Sequence, residues 1–216
     1  MSSRDLATLQ LKELVAEQAE FFPITTEIYL DLMVKGVIPE GAPYELIAGQ
    51  IVRKDRSEGD DGITATGPRH VLVVKRLARL GPEFQKLGCH VQTQQPIRIE
   101  PDGMPEPDAA IIRGSEEDYS NELATPKDIS CVIEVSDHSS GVDQGAKLLV
   151  YAAAQIACYV VLDIRHHLVD VYTNPFNDRA PAAGYAVKQT LHKGDILQVP
   201  TPDGPAVAIN VSDLLP

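Results

Sequence analysis

The sequence predicts an α/β domain, a mixed central sheet flanked by helices, and three observations carry that prediction. A helical stripe of apolar residues at Val73, Leu77, Leu80, Phe84 and Leu87 precedes short strand-like runs at 109–112 and 129–135. A second helical run, 144–155, carries a single charge and is followed by two more strand-like stretches, 157–164 and 168–173. Strands interleaved with helical patterns in this order lay helices against a sheet.

Length and charge bound what such a domain can be. At 216 residues the chain suits one domain with an appendage. Its 44% apolar and 23% charged content is that of a folded globular protein. No apolar run approaches the ~18 residues of a membrane span. The first twenty residues carry charges every few positions, unlike a secretory signal. Three cysteines, Cys89, Cys131 and Cys158, without a C-x-x-C pair offer neither a disulfide framework nor a zinc knuckle. A reducing, cytoplasmic setting is the expectation. The formal charge of −12 discourages indiscriminate binding to phosphate backbones. It is unevenly spread, with a net −9 over 97–143 and a net +4 over 69–88.

The elements follow in order. Residues 4–20 read as an amphipathic helix within an N-terminal appendage, 1–23, ahead of a domain spanning 24–216. Thr25-Thr26 after Pro23 is a helix start with threonine as the N-cap. Residues 44–54 read as a hairpin turning at Gly49, and 55–68 as a polar, acidic loop. The stripe over 70–87 is one helix that Gly81-Pro82 is expected to break or kink. Strand-like stretches are expected at 90–99, 109–112, 129–135, 157–164 and 168–173, with a turn at Arg165-His166-His167. The remainder, 184–210, alternates strand-like pieces with turns.

The informative residues are charges placed where a core belongs. Glu134 interrupts the apolar run Cys-Val-Ile-Glu-Val, so it is either paired in the interior or turned to water from an edge strand. Asp108 stands at the entrance of the 109–112 strand, as a turn aspartate or as a site residue. Lys147 is the only charge between Gln144 and Leu162, and either snorkels to solvent or points at the carboxylates. Asp143 reads as a helix N-cap. His70 opens the 70–87 helix, placed for a phosphate, a site contact or a local hydrogen bond. Cys89-His90 lacks two further zinc ligands, and no phosphate-binding glycine loop or serine-hydrolase elbow is present. Two carboxylates on neighbouring strands with a lysine nearby suit metal-assisted phosphodiester hydrolysis.

Pro107-Asp108, Glu134-Val135-Ser136 and Lys147 together resemble the PD-(D/E)xK nuclease signature, with the lysine moved from the slot of Ser136 to the next helix. Further pieces are Tyr44-Glu45-Leu46-Ile47 with Gly49, Pro68-Arg69-His70, Gln95-Pro96-Ile97, Tyr151 and Val169-Asp170-Val171-Tyr172. In order and spacing they are similar to the restriction endonuclease domain family that is widespread in bacteria. That resemblance implies a restriction-endonuclease-like fold over residues 24–216. It implies Asp108 and Glu134 as ligands of Mg²⁺ (or Mn²⁺), to which the Val135 carbonyl is added, Lys147 as the catalytic lysine, and Glu45 as a further acidic catalytic residue. The chain departs from the family in having Tyr159-Val160 where Tyr-Trp is common, and in its acidic 55–68 loop.

The expected function is therefore a Mg²⁺-dependent endonuclease acting on nucleic acid, DNA first, as a cytoplasmic homodimer, since two sites cut two strands. Arg69, His70, Arg76 and Arg79, with Lys86 beyond them, form the expected nucleic-acid contact. The alternative is a non-catalytic nucleic-acid- or protein-binding module on the same fold, which the net acidity favours and the intact acid–acid–lysine set opposes.

Overall fold

A computed structural model describes residues 22–39, 41–54, 67–136, 141–177 and 183–216, with backbone alone for 141–144. The helix expected over 4–20 and nearly all of the acidic loop lie outside the described residues.

Helix α1 (Thr26–Val34) starts as the sequence predicts: the Thr25 hydroxyl accepts from the Ile28 N–H. The hairpin of β1 (Tyr44–Ile47) and β2 (Gln50–Arg53) turns through Ala48 and Gly49, both at positive φ, 47° and 75°. Two consecutive left-handed residues are the tight hairpin turn that matches strand twist. Gly49 is also required sterically, because a Cβ there would sit 2.9 Å from Pro23 Cβ.

The helical stripe is divided as Gly81-Pro82 predicts, into α2 (Pro68–Ala78) and α3 (Gly81–Gln85). Val73, Leu77 and Phe84 of the stripe are buried. The strand expected over 90–99 is shorter. β3 (Cys89–Gln92) ends where Gln94 takes φ 51° and Pro96 removes a ladder donor.

β4 (Ala109–Arg113), β5 (Ile129–Ser136), β6 (Cys158–Asp163), β7 (Leu168–Phe176) and β8 (Gly184–His192) complete a six-stranded sheet in the order β3-β4-β5-β6-β7-β8. Every neighbour pair is antiparallel except β5 and β6. That parallel pair is joined across the sheet by α4 (Gly141–Ala153), because parallel strands need a crossover connection. The helix begins before Asp143, so the N-cap assignment of that residue is corrected: it lies in the first turn, and its side chain is outside the described residues. A small hairpin, β9 (Ile196–Val199) with β10 (Val207–Asn210), and a final turn, α5 (Val211–Leu214), close the chain.

Strand alternation distributes β5 between two cores. Cys131, Ile133 and Val135 pack with Val73, Val74 and Leu77 of α2 on one face. Val132 packs with Tyr151, Ile156 and Tyr159 on the other. Glu134 shares the parity of Val132 and therefore faces α4. Since β5 lies between β4 and β6, the edge-strand reading of Glu134 does not hold.

Candidate active site

Four segments remote in sequence meet at the carboxyl end of β5. The register pairs Ala109 with Ile133. Continued by one residue, it sets Asp108 across from Glu134 at the end of the two strands. The Val135 N–H donates to Asp108 Oδ2 at 2.8 Å. His70, in the first turn of α2, places Nε2 3.1 Å from the same oxygen. Its other ring nitrogen, Nδ1, is buried and has no hydrogen-bond partner among the described residues.

Glu134 is 9% exposed and Lys147 6%, so neither charge is solvated in the way a surface residue is. Lys147 Nζ stands 3.2 Å from Glu134 Oε1 and 3.2 Å from Glu45 Oε1. The snorkelling reading of Lys147 is thereby replaced: its ammonium lies between two buried carboxylates. Tyr151, one helical turn beyond Lys147 on the same face of α4, donates its hydroxyl to Glu134 Oε1 at 2.9 Å. Burial, then the Glu134 carboxylate beside it, pushes the Tyr151 phenol far above its ordinary value. The hydroxyl is thereby kept as a donor to Glu134.

Glu45 comes from β1 and is 3% exposed. Its second oxygen, Oε2, accepts from the Glu106 N–H at 3.0 Å. The hairpin is held there by paired backbone bonds between Leu46 and Met104. Glu106 also pairs with Lys54 at the end of the hairpin. Under this layer the Tyr29 hydroxyl donates to the Tyr44 carbonyl, and burial followed by the charges of Glu45 and Glu106 raises that phenol. A buried carboxylate that loses its partner costs several kcal/mol, so the interlocking of these pairs is what permits three charges in the interior.

The expected nucleic-acid contacts separate into three roles. Arg69 and Arg79 are exposed. His70 turns inward to Asp108. Arg76 reaches the other end of the chain, donating from Nη1 to the Leu214 and Leu215 carbonyls at 3.1 and 2.7 Å. Lys86 is exposed and lies 3.8 Å from Glu83.

A family described as "Uma2: Putative restriction endonuclease" matches residues 27–211. The chain belongs to the Uma2 family. Among solved structures, the Uma2-family chain is similar to a protein of Anabaena variabilis ATCC 29413 described as a putative nuclease belonging to DUF820. The TM-score is 0.63 at 16% identity, covering 89% of this chain and 97% of that one. That likeness is one of fold, a mixed sheet flanked by helices of the PD-(D/E)xK kind. No curated protein matches the chain.

Among the described residues of this Uma2 protein, no group of three or more His, Cys, Asp and Glu side chains is gathered to hold a metal. The donor set that the site offers is smaller: two carboxylates, Asp108 and Glu134, beside the Val135 main chain. Oxygen donors of this number fit Mg²⁺ or Mn²⁺, which retain several waters, and do not fit a structural zinc.

Sequence reasoning gave no role to Tyr151, to the Lys54–Glu106 pair or to the His70–Asp108 contact. The first was detectable from its spacing of four from Lys147 on a helix. The other two join segments 52 and 38 residues apart, and no local pattern announces them.

Proposed function

We propose that this Uma2-family protein is a metal-dependent endonuclease hydrolysing phosphodiester bonds of nucleic acid, DNA foremost. In this reading Asp108 and Glu134, with the Val135 carbonyl, hold Mg²⁺ or Mn²⁺. Both hydrogen bonds to Asp108 land on Oδ2, which leaves Oδ1 as its oxygen for a cation. When bound, the cation polarises a phosphoryl oxygen and lowers the pKa of its water.

The chain's own groups supply the rest. Lys147 orients the attacking water and offsets charge developing on the phosphate, as a fixed ammonium does best in a site poor in water. Glu45 and Glu134 hold that ammonium in place from two sides. His70 fixes the orientation of Asp108. Exposed Arg69 and Arg79 meet the phosphate backbone, while Arg76 is engaged with the C-terminal carbonyls. The protein acts in the cytoplasm as a homodimer, presenting two sites to two strands.

The observation that carries this reading is Lys147 buried between Glu45 and Glu134. A scaffold that only binds gains nothing from such a charge cluster and pays its desolvation. The formal charge of −12 favours a second reading, a non-catalytic nucleic-acid- or protein-binding module on the same fold. One experiment separates them. Purified protein is incubated with duplex and single-stranded DNA and RNA in Mg²⁺, Mn²⁺ or chelator. The nuclease reading expects cleavage that chelator and Asp108→Ala both abolish; binding without cleavage of any substrate supports the module.

A further inference from the structure

We infer that the turns after β6 and β8, residues 164–167 and 193–195, form a second contact surface for the phosphate backbone, with Arg165 and Lys193 as its cations. The inference rests on the nucleic-acid reading above and adds to it the direction in which a bound strand runs past the site.

Strand register places both turns beside the candidate site. Ser136, two residues past Glu134 on β5, pairs with Asp163 of β6. Asp163 pairs with Leu168 of β7, and Leu168 with His192 of β8. One row thus crosses β5 to β8, and the turns that follow Asp163 and His192 leave the sheet at the end where Asp108 and Glu134 stand. The Ile164 N–H donates to the Ser136 carbonyl at 2.9 Å, which fastens the first turn to β5. With strands about 4.8 Å apart, the row is about 15 Å long. A nucleic-acid strand rising ~3.4 Å per nucleotide covers that length in about four nucleotides.

The side chains of these turns suit phosphate. Arg165, His166, His167, His192 and Lys193 are all exposed. Whereas Lys147 and Arg76 are engaged by carboxylates and carbonyls, the side chains of Arg165 and Lys193 form no hydrogen bond or ion pair with a described residue. The turns also carry two carboxylates, and each is bent onto its own turn. Asp163 accepts from the His166 N–H and from its ring Nδ1, both at 2.8 Å. Asp195 Oδ2 accepts from the His192 N–H at 2.8 Å. These acids balance the two cations in number, so the surface acts through Arg165 and Lys193 themselves and not through net charge. Contacts of that kind add affinity and salt dependence without base preference.

The test is fluorescence anisotropy of a labelled DNA duplex over a salt series, in chelator and in Mg²⁺ before cleavage is detectable. Wild type is compared with the double variant Arg165→Ala/Lys193→Ala and with Lys35→Ala/Lys127→Ala, each with a thermal melt. The second double variant is the control: it removes the same charge from exposed positions, Lys35 beyond α1 and Lys127 just before β5, at the opposite end of that strand. The expected result for Arg165→Ala/Lys193→Ala is an unchanged melt, binding about tenfold weaker, and a salt slope shallower by about 2. The control should bind as wild type does. Wild-type affinity and slope in Arg165→Ala/Lys193→Ala overturn the inference, and so does an equal loss in the control, which assigns the effect to net charge. If the wild type binds no DNA under either condition, the reading of DNA as substrate fails; if it binds and the turn variant binds alike, only the second surface does.

Discussion

Asp108 and Val135 are joined by a short hydrogen bond, the Val135 N–H donating to Asp108 Oδ2 at 2.8 Å. It ties the entrance of β4 to the end of β5 beside Glu134, so that carboxylates from two strands stand at one end of the sheet. An amide oxygen can accept the same bond. Asp108→Asn should therefore stay folded, at a cost of about 1 kcal/mol for the weakened contact with His70. It should lose calorimetric Mn²⁺ binding. Unchanged Mn²⁺ binding would remove Asp108 from the ligand set.

Lys147→Met should be severely destabilising, because it leaves two buried carboxylates without their shared cation. Breaking a buried pair in this way costs about 3–5 kcal/mol. The penalty should also depend on pH. With the ammonium gone, repulsion between Glu45 and Glu134 makes one of them hold a proton more tightly in the folded state. A carboxyl whose folded pKa is raised stabilises at low pH, and that contribution is lost as pH rises. Urea unfolding should find the variant weaker relative to wild type at pH 8 than at pH 6. A difference independent of pH would mean that the two carboxylates do not sense each other.

Asp163 offers the opposite sign. Burial pushes its carboxyl upward, but hydrogen bonds from the His166 ring and N–H, with the His166 charge and the Arg165 N–H, carry it below the usual carboxylate range. Its side chain is 17% exposed but the His166 ring is 61% exposed, so solvent screens this contribution. A carboxylate with a depressed folded pKa stabilises fully above its unfolded value and loses that contribution as pH falls through the folded one. Asp163→Ala should cost about 1 kcal/mol near neutrality. The gap should narrow in unfolding curves taken below the ordinary carboxylate pKa. A gap that stays constant into acid would assign the effect to packing.

Arg76→Ala should act on stability more than on nucleic-acid binding. It deletes the donor to the Leu214 and Leu215 carbonyls, at about 1.5–3 kcal/mol for hydrogen bonds from a charged group. Arg69→Ala and Arg79→Ala should do the reverse, leaving the fold intact and flattening the salt dependence of binding. Fluorescence anisotropy across a salt series, paired with denaturation, distinguishes the two classes. Equal loss of binding in all three would place Arg76 on the contact surface after all.

Local pattern carried much of the fold. Alternation in β5 assigns Glu134 to the face of α4, and Gly81-Pro82 marks where the helix divides. The apolar surroundings of Lys147 already set its burial against its charge. What was not legible depends on long-range closure. Glu45 reaches Lys147 because the hairpin pairs Leu46 with Met104, and neither residue advertises the other. Arg76 looks like a surface cation until the chain returns 138 residues later to place its last carbonyls there. The strand expected through 99 stops at Gln92, since a backbone turn at Gln94 outweighs the strand character of Ile97 and Ile99.

On the proposed function, Lys147, fixed by Glu45 and Glu134, serves the reaction and not the binding of nucleic acid. Single-turnover cleavage in Mg²⁺ or Mn²⁺, measured beside equilibrium binding for wild type and Lys147→Ala under conditions where both are folded, tests it most directly. The wild type should cleave, Lys147→Ala should cleave about 100-fold or more slowly, and binding should be nearly unchanged. Cleavage that survives the substitution, or a wild type that binds nucleic acid with either metal and never cuts it, would contradict it.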